Sequence, residues 1–185
     1  MQVIEALLQR RSGRSLGEPA PDDAALQLIL ESATRAPDHG RLRPWRFLVI
    51  RAKSRERFGE LLAQHLQRSR PDAKPEALER ERRKALRAPV VIVVAAAVQA
   101  HGKIPAIEQI LSAGAAMQNM LLACTALGFS AVWKTGGAAY DAQVKVDFGL
   151  QPEDAIVGFL YVGTELEPLP PGSSPDRQPQ VRPWP

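Results

Sequence analysis

The chain has 185 residues, of which 45% are hydrophobic and 24% are charged. This balance is typical of one globular domain with a real core, and it excludes a disordered acidic tail, a collagen-like repeat and a disulfide-stapled miniprotein. The single cysteine, Cys124, excludes an internal disulfide and the usual cysteine zinc sites, and the three histidines lack metal-ligand spacing, so no metal is expected. Because the amphipathic N-terminus lacks a signal-peptide pattern, we expect a cytoplasmic protein.

The net charge of +4 arises mainly from one central segment. Residues 51–88 carry twelve Lys and Arg side chains against six Asp and Glu. Charges of both signs alternate there, which is typical of a solvated helix face. A basic module that holds nucleic acid or an acidic partner is one alternative, although no known DNA- or RNA-binding motif accompanies the charge. We therefore expect no nucleic-acid partner.

In chain order, the first half of the sequence predicts four helices and one strand. Their bounds are a helix over 3–10, a helix over 24–35, a strand over 46–50, and helices over 54–66 and 76–87. The first helix carries an apolar stripe formed by Val3, Ile4, Leu7 and Leu8. Asp22 and Asp23 favour the start of the second helix, because negative charge suits the positive end of its dipole.

The second half of the sequence predicts three strands and two helices. Their bounds are a strand over 90–98, a helix over 105–127, a strand over 129–134, a helix over 141–148 and a strand over 155–163. The strand over 90–98 is a continuous apolar run, typical of burial on both faces, and it is too short to cross a membrane as a helix. The helix over 105–127 is apolar nearly all round, which predicts a buried helix with a second surface to cover it, as in a dimer interface.

The order of elements predicts a single domain over residues 1–167, with helices and strands in three layers. From Pro168 onward the chain holds seven of the sixteen prolines. Residues 168–185 are therefore interpreted as a Pro-rich arm that lies on a surface or is partly disordered.

Two segments near the N-terminus carry residues suited to binding chemistry. In RRSGR, residues 10–14, two guanidinium groups, a hydroxyl and a glycine turn could converge on a phosphate; the alternative is a cationic helix cap. In APDHGRLRPWRF, residues 36–47, His39 could be a hydrogen-bonding ring or a proton donor, with Asp38 as its obvious partner. Trp45 in the same loop is interpreted as a core residue.

A third segment lies at the end of a predicted strand. LGFSAVWKTGG, residues 127–137, places Trp133, Lys134 and Thr135 before two glycines, where ligands gather in open α/β sheets. The alternative is a glycine turn beside a surface lysine. Cys124 is interpreted as a small buried hydrophobe rather than a catalytic thiol. Ser-His-Asp, GxGxxG and Walker motifs do not occur, so hydrolase and P-loop functions lose their usual support.

Taken together, these segments resemble the nitroreductase family of FMN-dependent oxidoreductases. The matching segments, in order, are the RRS motif after an apolar helix, RAPDHGRLRPWRF, RAPVVIVVAA, SAGAAMQNMLLACTALGFSAVWKTG and IVGFLYVGT. The resemblance covers the chain from Val3 to about Thr164, and it is nearest to a small bacterial subgroup with the PDH loop. It implies an α+β fold, a three-layer α-β-α sandwich with a central mixed sheet, and a homodimer with two FMN sites at its interface.

The resemblance also implies which residues bind the cofactors. For FMN they are Arg10, Arg11, Ser12, Arg35, His39, Trp133, Lys134 and Thr135. The arginines and serine of the first segment would hold the phosphate and ribityl chain, Lys134 would be a further phosphate cation, and His39 would come from the partner subunit. Arg14 is a candidate to stabilise the N1–C2=O edge of the reduced flavin. For NAD(P) they are Ala123, Cys124, Thr125, Ala126, Leu127 and Gly128.

The implied activity is that of an NAD(P)H oxidoreductase in which FMN, and not a catalytic side chain, carries the hydride and electron transfer. NADH or NADPH and then a nitroaromatic, quinone or other flat acceptor would use the same site in a ping-pong cycle. An FMN-binding protein of the same fold with another role, such as dehalogenation, flavin breakdown or redox sensing, is the second alternative. Arg177 and Arg182 in the tail are not assigned the phosphate-binding role that C-terminal basic residues have in larger relatives.

Overall fold

The computed structural model of this chain describes residues 2–167 and 179–184, which contain six helices and five strands. The helices are α1 Val3–Gln9, α2 Asp23–Ala33, α3 Ser54–Ser69, α4 Pro75–Lys84, α5 Ala106–Ala126 and α6 Ala142–Asp147. The strands are β1 Leu16–Gly17, β2 Trp45–Arg51, β3 Val90–Ala96, β4 Ser130–Lys134 and β5 Ala155–Glu165. Two short 3-10 turns occur at His39–Arg41 and Gly137–Tyr140.

The five strands form one sheet built around β3 and β5. Strand β3 lies between β2 and β5, and its Val93 pairs with Leu48 on one side and Phe159 on the other. The opposite edge of β5 pairs first with β4, where Val132 faces Tyr161, and then with the short β1. Among the described strands, none pairs with the outer edge of β4.

The sheet separates two hydrophobic clusters, one for each helical layer. Successive residues of β3 alternate between them: Val91 and Val93 pack toward Phe58 of α3, whereas Ile92 and Val94 pack toward Met117 of α5. All seven residues of β3 are buried. A strand covered on both faces has no polar side, which explains the unbroken apolar run in its sequence.

The predicted α+β, three-layer fold is confirmed, but the expectation of a mixed sheet is wrong for the described residues. All ladders between the strands are antiparallel, and parallel pairing is limited to an isolated bridge between Ser12 and Ala131. The physical reason is the α3–α4 pair, which returns the chain to the end of the sheet that it left, so that Arg51 pairs with Val90.

Two helices expose apolar surface that the sequence pattern assigns to a core. In α1 only Ala6 is buried, whereas Ile4 is 66% exposed and Leu8 is 78% exposed. Helix α5 buries one face against the sheet and α2, but Ile107 and Leu111 on it are exposed. The stripe predicted for α1 therefore exists but does not pack within the subunit.

Most of the predicted Pro-rich arm, residues 168–178 and Pro185, lies outside the described residues. Val181 and Trp184, in the described part of the tail, are exposed. Within the described residues, no helix combines the length and the apolar content that crossing a bilayer would require.

Candidate functional site

The Arg10–Arg14 loop runs along the free edge of β4. Arg10 ends α1, and its N–H donates to the carbonyl of Ala6 at 2.9 Å. Ser12 forms the parallel bridge with Ala131, and the N–H of Gly13 donates to the Ala131 carbonyl at 3.0 Å. The basic loop is thereby tied to the start of a strand that lies far away in the sequence.

A carboxylate at the end of β5 holds the other side of this loop. Glu165 accepts the N–H of Ser15 at 2.8 Å, the N–H of Arg14 at 3.1 Å and the hydroxyl of Ser130 at 3.1 Å. A Cβ atom at Gly13 would lie 2.5 Å from Leu16 Cδ2 and 2.9 Å from the Glu165 carboxylate. A side chain at this position would therefore require the ends of the Leu16, Ser130 and Glu165 side chains to shift.

Sequence reasoning missed Glu165 and Ser130 as parts of the site. Each lies more than a hundred residues from the loop, and neither belongs to a local motif. The available signal was weak: Glu165 follows the last predicted strand by two residues. The contact depends on the pairing of β1 with β5, which local sequence does not specify.

The second predicted segment lies farther along the same strand. Trp133 and Lys134 end β4, and the Trp133 indole N–H donates to the Val157 carbonyl at 3.1 Å. Gly136 follows with φ of +72°, a conformation that favours glycine, and a Cβ atom there would meet nothing within 4 Å.

Ala131 and Lys134 are three residues apart, or roughly 10 Å along a strand. This edge therefore suits a ligand with an anionic end and a flat ring.

A cleft of about 1030 Å³ opens beside this segment. One wall consists of Trp133–Ala138, the other belongs to α3 and α4, and Phe159 and Tyr161 of β5 contribute to its lining. Burial raises the pKa of Tyr161 to about 12, with smaller opposing effects from Arg87 and Glu81. The Tyr161 phenol is consequently protonated and neutral at physiological pH.

A charged cluster fixes the turn at the edge of this cleft. Asp141 accepts hydrogen bonds from Arg68 Nη2 at 2.8 Å and from the Val144 N–H at 2.9 Å, and it lies 2.8 Å from His65 Nδ1. Partial burial alone would raise the pKa of Asp141, but the hydrogen bonds from His65, Val144 and Arg68 lower it to about 2. The His65 ring packs against Gly137, where a Cβ atom would lie 2.6 Å from Nε2.

Arg35 and His39 lie elsewhere in the subunit. His39 Nδ1 is 2.6 Å from the Glu108 carboxylate in the first turn of α5. Ser12 instead bridges to Ala131, just after the end of α5. Helix α5 is roughly 30 Å long, since it has 21 residues with a rise of about 1.5 Å each. One subunit thus brings Arg10–Arg14 together with Trp133–Thr135, but not with His39, whereas Arg35 follows α2, whose Ser32 carbonyl accepts from Asn119 of α5.

The stretch Ala123–Gly128 forms the last turn of α5 and the start of the loop after it. Cys124 is fully buried in the core, and burial raises the pKa of its thiol to about 12, so the thiol stays protonated. The Thr125 hydroxyl donates to the Leu121 carbonyl at 3.1 Å. The accessible part of this stretch is Ala126–Gly128. The described part of the chain holds no group of three or more His, Cys, Asp or Glu side chains placed to bind a metal.

Comparison with known proteins places the chain in a family. The model of the nitroreductase family matches residues 7–164. YdjA of Escherichia coli (strain K12), whose name assigns it to the NAD(P)H nitroreductases, is 42% identical over 164 residues, which cover 89% of this chain and 88% of YdjA.

Solved structures agree with this assignment. A nitroreductase of Desulfovibrio desulfuricans, solved in complex with FMN, is 30% identical, with a TM-score of 0.74, and the match covers 100% of this chain and 99% of the other. A nitroreductase-like protein of Bacillus cereus is 26% identical, with a TM-score of 0.81, and the match covers 97% and 92% of the two chains. The match to the family model over most of the chain, together with these relatives, means that the chain belongs to the nitroreductase family.

Proposed function

We propose that this protein is an FMN-dependent NAD(P)H oxidoreductase that reduces nitroaromatics, quinones or similar flat acceptors. The observation that carries the proposal is the placement of two segments on one strand edge. The basic Arg10–Arg14 loop meets β4 at Ala131, and Trp133–Thr135 begins two residues farther on. Membership of the nitroreductase family, with an FMN complex among its solved relatives, points to the same cofactor.

The donor set of this edge fits FMN. Arg10, Arg11 and Ser12 offer guanidinium and hydroxyl donors for the phosphate and ribityl chain, and Lys134 adds a further cation. Gly136 leaves open space beside the strand end for a flat ring. We assign Trp133 and Thr135 to the walls of the ring site and Arg14 to its N1–C2=O edge.

When bound, the flavin supplies the hydride and electron transfer that the side chains of this protein do not. The role of the chain is to bind, orient and stabilise charge. The arginines fix the anionic end, and a cation at Arg14 stabilises the negative charge that the reduced ring acquires. The open cleft beside Trp133 would admit the pyridine nucleotide and the acceptor in turn, which is the arrangement that a ping-pong cycle requires.

We propose that the site is completed by a second copy of the chain. His39 lies at the opposite end of α5 from the Arg10–Arg14 loop, so in a two-fold dimer it could reach the partner's cofactor, and we assign Arg35, at the end of α2, to the same shared site. The exposed stripe of α1 and the exposed Ile107 and Leu111 of α5 offer apolar surface for such an interface.

The stretch Ala123–Gly128, which the resemblance implies contacts NAD(P), does not line the cleft beside Trp133, so we assign to it only a part of the nucleotide that extends beyond the cleft. Because the Cys124 side chain is buried, contacts from this stretch would come from Ala126–Gly128. We also propose a cytoplasmic location, where NADH and NADPH are supplied.

The first experiment is the visible absorption spectrum of the purified protein, followed by identification of the released flavin. We expect a yellow protein that releases about one FMN per chain and is bleached anaerobically by NADH or NADPH. The variant Arg10→Ala/Ser12→Ala should lose FMN, because it removes a cation and a hydroxyl from the phosphate site.

The matched control is Arg57→Ala, which removes an exposed arginine of α3 outside the loop and the cleft. This variant should retain FMN. A colourless wild-type protein that also fails to take up added FMN would refute the proposed function. Unchanged FMN affinity in Arg10→Ala/Ser12→Ala would refute only the phosphate assignment.

A further inference from the structure

The cleft between α3–α4 and the turn after β4 carries an excess of positive charge. Six basic and three acidic residues line it. Among the acidic residues, Glu81 is neutralised by Lys84, whose Nζ lies 2.6 Å from Glu81 Oε2. The other two, Asp72 and Glu76, lie at the α3–α4 connection and in the first turn of α4.

The basic residues of α4 divide into two groups according to their partners. Arg82 forms an ion pair with Glu60 at 2.6 Å, and Arg83 forms one with Glu79 at 3.3 Å. Arg80, which lines the cleft, has no carboxylate within 4 Å among the described residues. Glu60 of α3 and Glu79 of α4 thus neutralise Arg82 and Arg83, whereas Arg80 lines the cleft without a counter-ion among the residues that the structure describes.

Four further cations of the cleft also lack a carboxylate within 4 Å in the described part of the chain: Arg70, Lys74, Arg87 and Lys134. Arg87 lies after the end of α4, close enough to Tyr161 to influence its pKa. Lys134 ends β4 on the opposite wall. Arg80, Arg87 and Lys134 are exposed, so they attract anions mainly through their combined field, which added salt screens.

The same cleft offers apolar surface for a ring. Leu62, Phe159 and Trp133 line it, so a flat molecule could contact carbon while its acidic group meets the arginines. A volume of about 1030 Å³ exceeds what a substituted benzene or naphthoquinone needs. The cleft also adjoins the Trp133–Thr135 segment, which the proposed function assigns to the flavin ring.

We propose that this cleft is the acceptor site and that it selects flat aromatic acceptors carrying a carboxylate or a similar acidic group. Arg80 and Arg87 bind the acidic group, and Lys134 adds to the attractive field. This inference rests on the proposed function, because it needs a reduced cofactor beside the cleft. It goes further by assigning the charge of the acceptor and the residues that recognise it.

The test compares two acceptors of nearly equal shape, 4-nitrobenzoate and 4-nitrobenzamide, with FMN-loaded protein and saturating reductant. The neutral amide has the more electron-poor ring, so a preference for the anion does not come from intrinsic reactivity. We expect kcat/KM for the anion to exceed that for the amide by about tenfold or more, the size of a charge-assisted hydrogen bond. The preference should fall as salt is added.

The variant Arg80→Gln/Arg87→Gln should bring the ratio of the two kcat/KM values close to one, and Arg80→Gln alone should lower it in part. The matched control is Lys53→Gln/Arg57→Gln, which removes the same charge from exposed positions of α3 and its N-cap outside the cleft. The control should keep the wild-type ratio. Thermal unfolding of each variant shows whether it is folded.

Three outcomes would overturn the inference while the proposed function stands. In the first, the wild-type protein reduces both acceptors without preferring the anion, or the double variant keeps the preference. In the second, the bound flavin of the double variant is reduced more slowly by NADPH but not by NADH, while the ratio of the two kcat/KM values is unchanged. The cleft would then bind the additional phosphate of NADPH and not the acceptor. In the third, the double variant loses FMN, so that the arginines serve the cofactor. Failure of wild-type protein to bind FMN and reduce either acceptor would instead overturn the proposed function and, with it, this inference.

Discussion

Glu165 shows how a single carboxylate can fix the shape of a cationic site without adding to its positive charge. Its two oxygens accept two backbone N–H groups of the Arg10–Arg14 loop and its continuation, and the hydroxyl of Ser130. It therefore fixes the backbone at Arg14 and Ser15, at the end of the loop. A carboxylate in this role also lowers the net positive charge of the site, so its value lies in position and not in attraction of a phosphate.

We expect Glu165→Gln to weaken FMN binding by roughly ten- to a hundredfold, the cost of losing about 1–3 kcal/mol of charge-assisted hydrogen bonding at a partly buried position. The amide NH₂ of glutamine would face a backbone N–H, where the carboxylate now accepts. Titration of apoprotein with FMN, followed by fluorescence quenching, measures the change. Glu167→Gln, an exposed neighbour beyond the same strand, is the control. Equal FMN affinity in the two variants would mean that Glu165 does not position the loop for the cofactor.

At the scale of elements, hydrophobic periodicity predicts those helices and strands whose burial is evident from their own residues. The apolar run of β3 and the long α5 are found within a few residues of their predicted bounds. Strand β1 is two residues long and exists because it pairs with β5, about 150 residues away, so no local pattern indicates it. For the same reason, Trp133–Thr135 could be proposed from sequence, whereas the contact between the basic loop and β4 could not.

We expect the stability of helix α6, at its N-terminal end, to depend on pH. Asp141 caps this helix and joins it to α3 through His65 and Arg68. The pKa of Asp141 is about 2 in the folded protein, compared with 3.8 for an aspartate without these contacts. A lowered folded-state pKa stabilises the protein above pH 4, and this stabilisation is lost as pH falls from about 4 toward 2.

Asp141→Asn should therefore lower the free energy of unfolding by about 1–2 kcal/mol at pH 7. This value is smaller than the full pKa shift implies, because Arg68 is partly exposed and solvent screens its charge. Asparagine keeps a capping oxygen, so the loss reports mainly the charge. Urea unfolding at pH 7, 5 and 3 measures it, and the difference between wild type and variant should shrink only below pH 4. Asp147→Asn, at the end of the same helix, should show a smaller effect. A difference that is constant down to pH 3 would contradict the role assigned to the carboxylate.

For the whole molecule, the length of α5 separates two groups of residues that the proposed function assigns to one cofactor. His39 lies at the start of α5, and the Arg10–Arg14 loop lies beyond its end. No rearrangement of a loop closes a gap of roughly 20–30 Å across a packed helix. Two copies related by a two-fold axis solve the problem, since each then supplies one group to each of two sites.

Mixing two defective variants tests this arrangement directly. One variant carries Arg10→Ala/Ser12→Ala and the other carries His39→Ala; each homodimer has two damaged sites. If the groups come from different subunits, each heterodimer has one site with both defects and one with neither. After subunit exchange, FMN binding and activity should then recover to about a quarter of wild type.

If both groups act within one subunit, every site in a heterodimer still carries a defect, and mixing restores nothing. Ile4→Glu provides the second arm, because an acidic residue is tolerated in the first turn of α1 but opposes burial of its apolar stripe. We expect it to shift the protein toward monomer in sedimentation and to abolish recovery in the mixture. Val146→Glu, an exposed apolar position on α6 in the opposite layer, should leave both unchanged. Recovery without a dimer in sedimentation would contradict the shared site, since exchange of groups requires that two copies remain together.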